Sequence, residues 1–148
     1  MADVDSIKKI ARQRAQELKL PYKGALLPQE ACALMKAGAR LVDVRTKAEL
    51  EWVGRVPGSY AIEWNSWPGG KANSDFISQL EAQASKDAAV MFLCRSGGRS
   101  HSAAAAAAQV GYTDSYNVLE GFEGDKNSES HRNTTGGWRV AGLPWIQG

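Results

Sequence analysis

The stretch Ala88 to Val110, AAVMFLCRSGGRSHSAAAAAAQV, decides the fold. Its first six residues, Ala88 to Leu93, form a continuous apolar run of the kind found in a parallel strand buried on both faces. CRSGGRS, Cys94 to Ser100, follows as a polar, glycine-rich loop. Ser100 to Val110 then carries six consecutive alanines, Ala103 to Ala108, which favour helix and let a backbone lie close to a sheet. Strand, loop and helix in this order make half of a βαβ unit, so the segment predicts an α/β protein with a parallel sheet.

The flanking sequence repeats the alternation. Upstream, Arg40 to Val44 and Ser59 to Ile62 read as short strands, Pro28 to Ala37, Lys47 to Trp52 and Asn73 to Ala84 as helices, and Pro57-Gly58 as a turn. Downstream, Ser115 to Leu119 (SYNVL) reads as a strand. A polar stretch, Glu120 to Gly137, follows, and then a tail, WRVAGLPWIQG, with enough apolar residues to pack back on the domain. At the other end, Ile7, Ile10, Ala11 and Leu18 recur at helical spacing between Asp3 and Leu20, with Pro21 as a stop. We therefore divide the chain into an N-terminal amphipathic helix, residues 1–23, and an α/β domain, residues 24–148. The helix stripe covers the main domain or a second copy of the chain, the latter giving a homodimer.

Composition narrows the functional classes. The chain has 148 residues, 43% hydrophobic and 23% charged, the balance of one ordinary globular domain. Eighteen basic against sixteen acidic residues leave a net charge of +2, which argues against a nucleic-acid or anionic-membrane partner. No apolar run reaches the roughly 18 residues needed to span a bilayer. The polar N-terminus lacks the apolar core of a secretory signal, so a cytoplasmic location is the default expectation. Two cysteines, Cys32 and Cys94, and two histidines, His101 and His131, are scattered singly, which gives no zinc-site spacing and no disulfide framework. No metal or organic cofactor is expected.

The chemistry lies in the loop. In an open parallel sheet, ligands bind beyond the carboxyl ends of the strands, where Cys94 must sit. Gly97 and Gly98 allow backbone conformations that turn N–H groups inward, and the helix that follows adds its positive end. With Arg95 and Arg99 nearby, these dipoles favour the thiolate of Cys94 and make it a nucleophile. Ser96, Gly97, Gly98, Arg99 and Ser100 are expected to act chiefly through backbone N–H groups. The Ser96 and Ser100 hydroxyls are further donors to the sulfur, and Arg95 is a charge at the entrance.

The string CRSGGRS resembles the active-site loop of the rhodanese-like sulfurtransferases, in which Cys and Arg bracket four residues. The resemblance extends to LVDVRTKAELEWVGRVPGSYAIEW, Leu41 to Trp64, where Asp43, Arg45, Glu49, Pro57 and Gly58 fall on family positions. It also takes in Tyr116 to Gly121 and the ending Ala141-Gly142-Leu143-Pro144. The resemblance implies an open, parallel five-stranded sheet with helices on both faces. It implies a two-step reaction as well: Cys94 takes sulfane sulfur from a donor such as thiosulfate, forms a persulfide, and passes the sulfur to an acceptor. Cyanide, glutathione or another small thiol, and thioredoxin or another protein thiol are all consistent acceptors. Asp43, Arg45 and Glu49 are expected to be structural, Arg45 and Glu49 as a pair that holds the strand-to-helix connection.

Two features depart from the family pattern. Arg55 stands where many relatives carry His, and a polar insert, Glu123 to Gly137, follows the last strand. With Trp64, Trp67 and Trp138, this insert is expected to form the rim of the entrance; the competing expectation is tryptophans in the core and a disordered surface loop. Cys32 reads as a buried structural thiol, and His101 as a capping or solvent-facing residue. Two other functions compete. A cysteine phosphatase or arsenate reductase on the same fold would need five residues between Cys and Arg, where this chain has four, Arg95 to Gly98. A non-catalytic partner-binding module or sulfur relay would use the same fold, and inactive modules commonly lose the cysteine that is present here.

Overall fold

The computed structural model describes residues 4–147. In chain order its elements are α1 (Val4–Leu18), β1 (Gly24–Leu26), α2 (Pro28–Lys36), β2 (Arg40–Asp43), α3 (Lys47–Trp52), β3 (Tyr60–Ala61), α4 (Phe76–Gln83), β4 (Val90–Leu93), α5 (Gly98–Gln109) and β5 (Ser115–Val118). The strands form one parallel sheet in the order β1-β5-β4-β2-β3. The central β4 is buried at every residue and pairs with both β2 and β5.

Successive side chains of a strand face opposite ways, and the two resulting faces carry separate cores. Met91 and Leu93 point into one with Leu41, Tyr116 and Val118, covered by Ile7 and Ala11 of α1, Ala31 and Leu34 of α2, and Trp138 of the tail. Val90, Phe92 and Cys94 point into the other with Val42 and Val44, covered by Phe76 and Leu80 of α4 and by Ala103, Ala104 and Ala107 of α5. Cys32 is buried in the first core on α2. The alanine run brings α5 close to β4 and β5 because no larger side chain holds it off.

Helix α1 lies on the sheet edge next to β1. Arg14 joins it to α2 through Glu30, at 2.5 and 3.0 Å, and donates to the Ala25 carbonyl. Lys8 reaches Asp114 at 2.8 Å. The N-terminal limit expected for this helix, Asp3, lies outside the described residues. The tail is fixed by Arg55 and Ile146, which exchange two backbone hydrogen bonds of 2.8 Å.

Boundaries differ from the sequence reading where local cues are weak. The strand β1 has three residues, too few to show a period, and the sequence does not announce it. Helix α5 begins at Gly98 rather than Ser100, because Gly97 takes φ +112° and turns the chain into the helix at once. Helix α4 starts at Phe76 rather than Asn73, whose side chain accepts from Asp75 N and donates to the Glu63 carbonyl. The Asn73 amide thus shapes a turn before the helix.

Candidate active site

Cys94 stands at the carboxyl end of β4, where the strand hands over to the loop that opens α5. It is 1% exposed. Its sulfur accepts a hydrogen bond from Gly97 N at 3.1 Å and has the Ser100 hydroxyl at 3.3 Å. That hydroxyl also reaches Asn117 Oδ1 of β5 at 2.5 Å, and Asn117 Nδ2 donates to the Gly97 carbonyl at 3.3 Å. A hydroxyl has one proton. Donated to Asn117, it leaves the oxygen free to accept from a thiol; turned to the sulfur, it stabilises a thiolate.

The loop is held from below by the chain that follows β5. Phe122 N donates to the Cys94 carbonyl at 2.8 Å, and Glu123 N to the Arg95 carbonyl at 3.0 Å. Gly121, at φ +65°, lies so close that an added Cβ would meet Arg95 backbone atoms at 2.5 Å. The insert is therefore tied in at its start, and further on it is ordered by its own hydrogen bonds. Arg132 donates to the Gly124 carbonyl at 2.7 Å, Asn133 N to the Glu123 carbonyl at 2.8 Å, and Gly137 N to the Glu120 carboxylate at 2.9 Å.

The charged residues pair differently from the sequence expectation. Arg45 does not bond Glu49. Fully buried, it grips Asp43 through Nε and Nη2, the latter at 2.7 Å, and Nη2 also donates to the Gly54 carbonyl at 2.8 Å. Its guanidinium lies 4.2 Å from the centre of the Phe122 ring. Glu49 instead takes two parallel hydrogen bonds from Arg99, at 2.7 and 2.9 Å, and closes a capping box with Thr46 at the start of α3. Burial pushes the Glu49 carboxyl up, but the Arg99 and Thr46 contacts outweigh it and hold the group down at about 2. Arg99 is pushed up, first by its hydrogen bonds to Glu49, with burial opposing and the charges of Glu49, Cys94 and Asp43 adding.

The expected rim is also revised. Trp138 is 1% exposed; it lies in the core and donates through Nε1 to the Pro144 carbonyl at 2.8 Å. An indole on the chain just past the insert can reach the apolar face under the tail, and burial there outweighs exposure at the entrance. Trp64 is half-buried, edge-on to Phe76 at 5.0 Å. Trp67 is exposed, and its partner is Trp52 of α3, a residue the sequence reading passed over, with ring centres 5.8 Å apart. A cleft of about 400 Å³ lies here, lined by Thr46, Glu49, Trp52, Trp67, Arg95 and Arg99 among others; no residue of the insert lines it. Arg95 is exposed and lines the cleft. His101 bonds Tyr22 through Nδ1 at 2.7 Å.

Asn117 and Trp52 were not legible as site residues. Asn117 lies inside a fully buried strand, and only the sheet order brings it beneath the loop. Trp52 looks like an ordinary helix residue until the chain between β3 and α4 folds over it.

A cysteine beneath a tight loop at the C-terminal edge of a five-stranded parallel sheet defines the class, and the comparisons agree. Residues 27–128 match the rhodanese-like domain, and the chain belongs to that family. A crystal structure of Rv0390 from M. tuberculosis superimposes with a TM-score of 0.78 at 40% identity, covering 86% of this chain and 99% of that one. The thiosulfate sulfurtransferase GlpE of Pseudomonas aeruginosa is 36% identical over 98 residues, 66% of this chain and 79% of its own. The uncharacterized protein RP600 of Rickettsia prowazekii is 36% identical over 115 residues, 76% of this chain and 86% of its own.

Proposed function

We propose that this protein is a sulfurtransferase that moves sulfane sulfur from thiosulfate, or a similar donor, to a thiophilic acceptor through a persulfide on Cys94. The observation that carries this reading is the environment of one sulfur: Sγ of Cys94, enclosed at the end of β4, faces the Gly97 N–H and the Ser100 hydroxyl. Those donors stabilise a thiolate. The thiolate attacks the outer sulfur of thiosulfate, the S–S bond of the donor breaks, and sulfite leaves with the electron pair. Arg95, exposed at the entrance, draws in the dianion and assists the departure of sulfite. An acceptor thiol or cyanide then attacks the terminal sulfur of the persulfide and returns Cys94 to the thiolate. The Gly97 N–H and Ser100 hydroxyl serve both half-reactions, because each leaves negative charge on sulfur.

The pairing of Arg99 supports sulfur transfer over phosphoryl or arsenate chemistry. Both ends of its guanidinium fork are taken up by Glu49, whereas a phosphatase needs such a fork for the oxygens of the transferred group. The four residues between Cys94 and Arg99 make a tight loop that suits a single sulfur atom. Arg99 then acts by anchoring the end of the loop through Glu49. No helix among the described residues is long and apolar enough to cross a membrane.

Intact mass spectrometry tests the reading. Protein treated with thiosulfate and freed of excess donor gains one sulfur, about 32 Da, while a Cys94→Ala variant gains nothing. No gain on the wild-type chain overturns the thiosulfate assignment.

A further inference from the structure

The cleft beside the loop is built for more than thiosulfate or cyanide. Its volume, about 400 Å³, lies within the range of small-molecule sites, and thiosulfate would leave most of it empty. One wall is the edge-to-face pair of Trp52 and Trp67, which stay 66% and 61% exposed. Two indoles side by side and open to water form an apolar surface whose cover must come from outside the described fold. The charges of the cleft are also informative. Glu49 and Arg99 neutralise each other through their paired hydrogen bonds, and Arg95 bears the remaining charge, a single positive one. An occupant that matches the cleft has a flat apolar body for the indoles and one negative charge for Arg95.

We propose that the Trp52–Trp67 cleft is the acceptor subsite, selective for a small aromatic thiol that carries a carboxylate. This rests on the persulfide reading above. The acceptor thiol gives its proton to the outer sulfur of the Cys94 persulfide anion and the resulting aryl thiolate attacks that sulfur; a new S–S bond forms, and the bond between the two persulfide sulfurs breaks. Its electron pair leaves with the Cys94 thiolate, the proton stays on the transferred sulfur, and the product is an aryl persulfide. Trp52 and Trp67 set selectivity by stacking on the ring, and Arg95 orients the carboxylate.

Two probes separate the ring from the charge: 3-mercaptobenzoate and 3-mercaptopropionate share thiol and carboxylate, and only the first is aromatic. Titrated into resting protein and followed by the indole N–H signals, 3-mercaptobenzoate is expected to shift Trp52 and Trp67 and to bind at least about fivefold tighter than 3-mercaptopropionate. Trp52→Ala and Trp67→Ala should each remove that preference, and Trp52→Phe should retain part of it. In protein preloaded with thiosulfate, the ratio of kcat/KM for the aromatic over the aliphatic thiol should fall by a similar factor in the alanine variants. Equal affinity of the wild type for both thiols, or a preference unchanged in both alanine variants, overturns the assignment. Binding is read without turnover, so a protein that binds 3-mercaptobenzoate as described yet gains no sulfur from thiosulfate overturns the thiosulfate donor and leaves the aromatic-thiol subsite standing.

Discussion

Arg99 and Glu49, fifty positions apart, meet in a bidentate ion pair with N–O distances of 2.7 and 2.9 Å, and that pair ties the end of the Cys94 loop to helix α3. Removing it should loosen the loop more than the fold. Glu49→Gln is expected to lower kcat/KM for thiosulfate by about tenfold, a cost of about 1.4 kcal/mol, while the protein remains folded. Steady-state kinetics beside a thermal melt separates the two effects.

The same pair makes a pH prediction. The Glu49 carboxyl is held near 2 in the folded protein, below its ordinary value of 4.5. Its stabilising contribution is therefore complete above about pH 4.5. As the pH falls from there towards 2, the unfolded chain takes up a proton that the folded chain refuses, and the contribution is lost. Urea melts from pH 7 to 2.5 should show wild-type stability falling more steeply through this window than that of Glu49→Gln. Parallel curves would refute the linkage.

Ser100→Ala removes the hydroxyl that lies between Cys94 Sγ and Asn117. The thiolate loses a donor and Asn117 Oδ1 a partner. We expect alkylation of Cys94 by iodoacetamide at neutral pH to slow by about five- to thirtyfold and stability to fall by about 1 kcal/mol. An unchanged alkylation rate would show that the hydroxyl does not support the thiolate.

Asp43→Ala leaves the guanidinium of Arg45 buried without its counter-ion. Breaking one side of a buried pair costs about 3–5 kcal/mol, so the melting temperature should drop by roughly 10 °C. The double variant Asp43→Ala, Arg45→Met should recover part of the loss, because it removes the stranded charge as well.

Gly121→Ala tests how the loop is supported. Position 121 has φ +65°, and a Cβ there would overlap the Arg95 carbonyl. The substitution should displace the loop or unseat the segment beneath it, destabilise by about 1–3 kcal/mol and sharply reduce sulfur uptake by Cys94. Mass spectrometry after thiosulfate treatment, with a melt as control, reads both.

Much of the fold could be read in local sequence. AAVMFL read as a buried strand, CRSGGRS as the loop with Cys94 as its proposed nucleophile, and the alanines as a close-packed helix. Helix α3 was read to the residue, Lys47 to Trp52, and the structure adds the capping box that Thr46 and Glu49 close at its start. The strand β1 was invisible because three residues carry no period, and Trp138 stayed open between rim and core because an indole beside a polar insert reads equally well as either.

Partners that come from distant parts of the chain belong to the tertiary structure. The sequence by itself determined the class of fold, the proposed nucleophile and the glycine-rich turn that follows it, since each depends on neighbours within a few residues: apolar runs, glycines that turn the backbone, a helix start. Only the three-dimensional arrangement decided that Arg45 takes Asp43 while Glu49 takes Arg99, that Asn117 supports Ser100, and that Trp52 meets Trp67. The physical reason is that charged and aromatic side chains have several chemically adequate partners. The register of the parallel sheet and the crossings between its strands determine which of them comes within reach.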